Sequence, residues 1–413
     1  MNATDLTGRA GRTSDVKITA IRTYRAEEFA NVLWVHVETD AGITGLGETF
    51  YGAEACEAHI HNTLAVRLLG QNPLNIEALH KEMVSLPNAQ ASTGVEYRAA
   101  SAVDIALWDI FGKVAGQPVH VMLGGQSWDR IRVYNTCAGT RYVRTNRIKP
   151  VDTWNRDEGR YEDLDAFMTD AGALAEDLLD KGIAAMKIWP FDPPAIENKG
   201  MFITAEQMKA AVRPFEQIRK AVGDRMEIMV EMHCLWNLPV AKDIARVLED
   251  YAPRWYEDPI RMNNAQALAE FAASTSVWTC ASETLGSRFA YKEFLDRDAA
   301  HVVMADLCWT GGLTEGRKIA ALADLHHRPF APHDCIGPVG FAAAIHMSFS
   351  QPNTLIQESV RAFYDGWYKE LVTEVPRIEG GYVYPMEGPG LGTELHPDFF
   401  GRGDLTTRIS EVS

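Results

Sequence analysis

An apolar run ending in an acid or a histidine recurs through the second half of the chain at intervals of roughly 25 residues, the length of a strand, a helix and two short loops. The end points are Glu231, Glu257, Glu283, Asp306, His333 and Glu358. They follow runs such as Ile228-Met229-Val230, Trp255-Tyr256 and Val302-Val303-Met304-Ala305. A period of this kind is a βα repeat, and its polar residues fall at the C-terminal ends of strands. In a β/α barrel those ends share one rim, which is where chemistry is placed.

At 413 residues the chain exceeds one typical core and suggests two domains. Residues 1–14 are polar and Gly/Thr-rich without an apolar stretch, so a flexible tail is expected there rather than a signal peptide. Alternation predicts strands over 16–24, 31–39 and 44–48, and helical spacing takes over at 53–69, 76–83 and 95–114. This is an α+β unit over residues 15–130. The barrel pattern occupies 131–375, with Ile131-Arg132-Val133-Tyr134 and Ala184-Ala185-Met186-Lys187-Ile188 as its first two strands. More residues separate those strands than a helix and two loops require. The excess, 141–160, reads as an insertion at the rim and a candidate substrate loop. Residues 376–413 form a C-terminal segment, of which 380–400, with Gly388-Pro389-Gly390-Leu391-Gly392, returns as coil.

The net charge of −16 argues against a nucleic-acid or anionic-membrane partner. It leaves an anionic small substrate open, because one divalent cation reverses the field of a cleft. Six cysteines are scattered with no C-x-x-C, which fits a reducing cytoplasm without a disulfide framework. No run of 18 apolar residues is present, so no helical membrane span is expected.

Glu231, Glu257 and Glu283 stand at successive strand ends, where neighbouring parallel strands are about 4.8 Å apart. Three like charges that close repel unless a cation lies between them. Oxygen-only ligation with open positions suits Mg²⁺ better than Zn²⁺. Asp258, next to Glu257, faces the other way and reads as a supporting loop residue.

Asp306 and His333 on consecutive strand ends form a candidate acid–base dyad, the carboxylate fixing the imidazole tautomer. His333 could instead pair with Asp334, but adjacent residues of an extended chain face opposite ways. His233 shares the face of Glu231 if the strand continues that far; it is then a second acid–base group, a substrate donor or a satisfied loop histidine. Lys187 is a candidate for electrostatic stabilisation, for a base, or for an ion pair with Glu231. Glu358, crowded among anions, is expected to resist ionisation and to donate a hydrogen bond to an oxygen gaining charge. Trp189, Tyr51, Tyr142 and Arg144 are candidates for substrate contact, as are the turns at 23–30 and 49–52.

These residues resemble the enolase superfamily, mandelate racemase subgroup. Gly45-Leu46-Gly47-Glu48, Ser101-Ala102-Val103-Asp104-Ile105-Ala106-Leu107-Trp108-Asp109 with Gly112-Lys113, and Leu123-Gly124-Gly125 resemble that family's capping domain. The C-terminal Gly-Pro-Gly-Leu-Gly resembles its return to the cap. The resemblance implies a modified (β/α)7β TIM-like barrel with an α+β cap built from the N-terminal region and the C-terminal segment. It implies Mg²⁺ on the three glutamates, proton removal α to a substrate carboxylate, and an enediolate. Racemases of the subgroup carry K-x-K on the second barrel strand; here it is Lys187-x-Trp189, so the second base is replaced. Glu231-x-His233 is similar to the galactonate- and mannonate-type sugar acid dehydratases, which usually have Asp at the first position. The activity implied is loss of the 3-hydroxyl from an aldonate-type acid to give a 2-keto-3-deoxy acid, one histidine acting as base and the other as acid. A racemase, epimerase or cycloisomerase using the same enediolate, and a non-catalytic sugar-acid-binding regulator, remain open. A cytoplasmic homo-oligomer is the expected form.

Overall fold

The computed structural model describes residues 16–84, 94–142, 144 and 161–412. The tail expected over 1–14 and most of the insertion expected over 141–160 therefore lie outside the described residues.

The cap begins with three antiparallel strands, β1 (Ile18–Ala26), β2 (Val32–Thr39) and β3 (Thr44–Phe50). The first and third run two residues further than the alternation suggests, so the turn expected at 23–30 is a strand end followed by one helical turn, Glu27–Phe29. Helix Val95–Ala115 packs on this sheet. Its approach explains the two glycines of β3: a Cβ on Gly45 or Gly47 would strike the carbonyl oxygens of Ala106 and Ala102. Asp109 on the same helix accepts the N–H of Leu46 at 2.8 Å through one oxygen and that of Leu391 at 2.8 Å through the other. One buried carboxylate thus ties the cap to the returning C-terminal segment.

The barrel strands are β4 (Ile131–Thr136), β5 (Ala185–Ile188), β6 (Glu227–Glu231), β7 (Trp255–Glu257), β8 (Trp278–Ala281), β9 (Val302–Ala305), β10 (Phe330–Pro332) and β11 (Gln357–Ser359). They pair in parallel in chain order from β4 to β10, and β11 pairs with β4. The Phe330 N–H donates to Asn353 at 2.9 Å and the Leu355 N–H to Phe330 at 2.8 Å, so the segment leading into β11 meets β10 and the sheet closes. Helical connections follow each strand from β4 to β10, giving the (β/α)7β order. Inward-facing Tyr134, Ala185, Met229, Trp255, Cys280, Val302, Met304, Ala331 and Ile356 fill the interior as a separate core, so the barrel is packed rather than open. After it, the short hairpin of β12 (Ile378–Glu379) and β13 (Tyr382–Val383) pairs antiparallel with the start of β4. Then β14 (Leu405–Glu411) joins β1, making the cap sheet order β14-β1-β2-β3.

Cap and rim are clamped together beside the barrel mouth. Thr49 donates to the Cys308 carbonyl at 2.7 Å, and Trp309 Nε1 to the Phe50 carbonyl at 3.0 Å. Glu48, fully buried, accepts the N–H groups of Gly340 at 2.9 Å and Val339 at 3.3 Å in the first turn of helix Pro338–Ser350. Burial pushes its carboxyl up to about 8, even against those donors.

Candidate active site

The three glutamates converge because their strands are neighbours in register. Glu231 and Glu257 are direct cross-strand partners at the ends of β6 and β7, and Glu283 lies just beyond β8. One oxygen of each falls within 4.8 Å of the other two. The donor set is oxygen only, and Glu231 Oε2 is buried without a hydrogen-bond partner among the described residues. A hard divalent cation fits such a cradle. Burial drives Glu231 up to about 8, and burial with the neighbouring Glu231 drives Glu257 well above the carboxylate range. Both shifts express the cost of crowding anions away from water.

Lys187, on β5, reaches into this cluster. Its Nζ donates to Glu257, to Glu358 at 2.9 Å, and lies 3.5 Å from Glu231. Burial alone would pull the ammonium down; Glu257, Glu358 and Glu231 outweigh it and hold Lys187 well above its ordinary value. It is a fixed positive charge here. Trp255 Nε1 donates to the other oxygen of Glu257 at 2.9 Å.

His333, just beyond β10, donates from Nδ1 to Asp306 Oδ2 at 2.7 Å, and its Nε2 lies 2.8 Å from Glu283. The Cys308 N–H holds the second Asp306 oxygen at 2.7 Å. His333 therefore meets Asp306 rather than its chain neighbour Asp334, whose two oxygens are buried without a hydrogen-bond partner among the described residues. Burial opposes the imidazolium, but Glu283, Glu358 and Asp306 together raise His333 well above the ordinary histidine value. Reciprocally, His333 brings Glu283 down to about 2 against its burial.

His233 reaches the cavity by a different route from the one its spacing suggests. Strand β6 ends at Glu231, and the chain turns with φ of 47° at His233 and 60° at Cys234. The turn wraps the N–H groups of Met232 (2.9 Å) and His233 (2.6 Å) onto Glu231 Oε1. His233 Nδ1 then lies 2.7 Å from Asp192 Oδ2, and the Trp189 ring stands edge-on at 5.8 Å. Burial would lower His233, yet Asp192 outweighs it and the ring is raised.

Glu358 is an acceptor at both oxygens, a surrounding its position among anions does not suggest. Lys187 and Thr136 donate to one, and the Asp334 N–H donates to the other at 2.9 Å.

A cavity of about 80 Å³ joins these groups. Lys187, Glu283, His333, His233 and Glu358 line it, and so do Trp189, Tyr51 and Tyr142. Arg144 does not: it pairs with Glu28 and lies 4.9 Å over the Phe29 ring, bracing the cap. Asp258 is buried beneath the rim and accepts from Ser282 Oγ at 2.6 Å. Three lining residues are absent from the sequence reading: Thr136, Trp309 and Cys335. Thr136 ends β4, so treating the first strand as an end point like the later ones finds it. Trp309 sits 5.6 Å from His333 and 5.7 Å from Tyr51, and in sequence only its place three residues past Asp306 hints at this. The role of Asp192, the first residue of the helix that follows Trp189-Pro190-Phe191, carries no local signal.

Among the described residues no helix is long and apolar enough to cross a membrane, and all six cysteines are free thiols. A family model described as mandelate racemase / muconate lactonizing enzyme, N-terminal domain, matches residues 13–124, and one described as enolase C-terminal domain-like matches 170–399. The chain is 31% identical over 390 residues to a D-galactonate dehydratase of Ralstonia pickettii, covering 92% of each chain. It is 29% identical over 398 residues to a D-xylonate dehydratase of Haloferax volcanii, covering 95% of this chain and 90% of that one. A crystal structure of an enolase of the mandelate racemase subgroup from Agrobacterium tumefaciens superposes with a TM-score of 0.85 at 46% identity, over 96% of this chain and 99% of that one.

Proposed function

The chain belongs to the mandelate racemase / muconate lactonizing enzyme family of the enolase superfamily, and from that premise we propose that it is a magnesium-dependent dehydratase of a sugar acid. The observation that carries this reading is the placement of two histidines, each on a carboxylate, beside a three-glutamate cradle in one cavity. The dehydratase names of its relatives support it as well.

Glu231, Glu257 and Glu283 would hold the Mg²⁺ ion, which when bound supplies positive charge against a substrate carboxylate and the oxygens that gain charge as the α-carbon is deprotonated. His233 removes the proton at C2 of an aldonate-type acid. His333, held by Asp306, protonates the 3-hydroxyl as it leaves, and the enol product tautomerises to a 2-keto-3-deoxy acid. Lys187 contributes a second fixed charge at the edge of the cradle and keeps Glu358 in place. In this reading Glu358 supports the site as an acceptor. Trp189, Tyr142 and Tyr51 wall the cavity, exclude water and meet the distal hydroxyls; Arg144 acts indirectly, by bracing the cap. The free thiols and the acidic surface suit a cytoplasmic enzyme with a small-molecule substrate and no nucleic-acid partner, and a homo-oligomer is the expected form.

The test is incubation of a sugar-acid library with Mg²⁺, reading out 2-keto acids. Loss of that signal on chelation is expected; no product from any acid sugar would refute the reading. One observation favours epimerisation as a second reading: the two histidines enter the cavity from β6 and β10, which also suits taking a proton from one face and returning it to the other. In D₂O, α-deuterium in recovered substrate without keto acid would select that reading.

A further inference from the structure

The histidine after β6 has a carboxylate partner supplied by a different connection. Asp192 opens the helix Asp192–Glu197 after β5 and is buried, with Oδ2 2.7 Å from His233 Nδ1. The same distance separates His333 Nδ1 from Asp306 Oδ2. Two imidazoles lining one cavity are therefore each gripped at Nδ1, and each leaves Nε2 as its other nitrogen. His233 needs the grip more, because it stands on a left-handed turn outside the strand ladder. Trp189 packs against the ring and fixes where it lies. Packing is blind to which nitrogen carries the hydrogen; only a hydrogen-bond partner makes that choice.

We propose that Asp192 is a positioning residue that holds His233 as its Nδ1–H tautomer, with Nε2 bare toward the cavity, so that the site contains two carboxylate-held histidines rather than one. Asp192 itself lies outside the cavity lining and acts through the ring. The kinetic part of the test rests on the dehydratase reading; the spectroscopic part does not.

Asp192→Asn keeps the size of the side chain, but its amide donates to Nδ1 and moves the ring hydrogen to Nε2, where it blocks proton uptake. The expected result is a kcat lower by on the order of 100-fold, with KM within about threefold and an unchanged melting temperature. Asp192→Glu, which restores a carboxylate, should recover part of kcat. Wild-type kcat in Asp192→Asn would overturn the proposal. So would parallel losses of kcat, KM and melting temperature in both variants, the pattern of a residue that only supports the loop. Histidine-selective ¹⁵N NMR of the full chain across a pH series, read where the His233 ring is neutral, gives the tautomer directly. Asp192→Asn should switch His233 from the Nδ1–H to the Nε2–H pattern, and an unchanged pattern would refute the proposal. A switched tautomer in a protein that turns over no sugar acid would uphold it and reject the dehydratase reading instead.

Discussion

Replacing Lys187 with methionine removes one charge and keeps most of the buried stem, which isolates what that charge does. The ammonium lies 2.9 Å from Glu358 and 3.5 Å from Glu231 and also bonds Glu257. At an effective dielectric of about 20, the two pairs with quoted separations are each worth roughly 5 kcal/mol of gross attraction. The desolvation of these buried groups, and the protons that crowding drives onto Glu231 and Glu257, offset most of that, and removing one partner of a buried cluster typically costs about 3–5 kcal/mol. The metal-free variant should therefore lose about 3–5 kcal/mol of unfolding free energy, because its glutamates are left facing one another. A divalent cation bound in the glutamate cradle would take over the neutralising role. Mg²⁺ should accordingly stabilise Lys187→Met more than wild type, beyond the roughly 2.7 kcal/mol expected at a hundred times Kd for an unchanged site. Urea unfolding followed by circular dichroism, in chelator and then across a magnesium series, measures both effects. A variant as stable as wild type in chelator, or one that magnesium stabilises less, would show that Lys187 does not neutralise this cluster.

Glu257→Gln should weaken Mg²⁺ binding measured by calorimetry and abolish turnover, whereas His333→Asn should leave Mg²⁺ binding intact and remove turnover; retained turnover in either would contradict the assigned role. Gly47→Ala should destabilise the cap by about 1–3 kcal/mol, since its new methyl meets the Ala102 carbonyl, and the denaturation midpoint reports this. The buried pair His120 and His346 should make stability fall with acid. Burial brings His346 down to about 3, while its Nδ1 accepts the His120 N–H at 3.2 Å and its Nε2 donates to Leu391 at 3.0 Å. The folded state refuses a proton that the unfolded chain takes near 6.5, so this contribution is complete above pH 6.5 and lost toward 3, at about 1.4 kcal/mol per pH unit. Unfolding curves across that window should flatten when His346 is replaced by glutamine.

The rim was legible in the sequence because the barrel turns a linear period into a ring. Glu231 and Glu257 are about one βα unit apart in the chain and become cross-strand partners. What escaped notice depends on chain direction rather than on period. His233 sits on a positive-φ turn built from non-glycine residues, which no residue type announces. Asp192 reaches it from another connection, 41 residues upstream. The donors around Glu358 are hidden for a related reason: counting acids at strand ends shows the anions but not Lys187, Thr136 and the Asp334 N–H between them. The end of β1 lies two residues later because Arg25 and Ala26 pair with β14, a strand that no alternation announces.

That last pairing bears on how the molecule is made. Strand β1 cannot acquire its outer neighbour until Leu405–Glu411 has left the ribosome, because Ala20 lies opposite Glu411. The eight-stranded ring can close earlier, so its acidic mouth stands without a finished roof during synthesis. The cap sheet therefore gains its fourth strand only after every strand of the ring has been made.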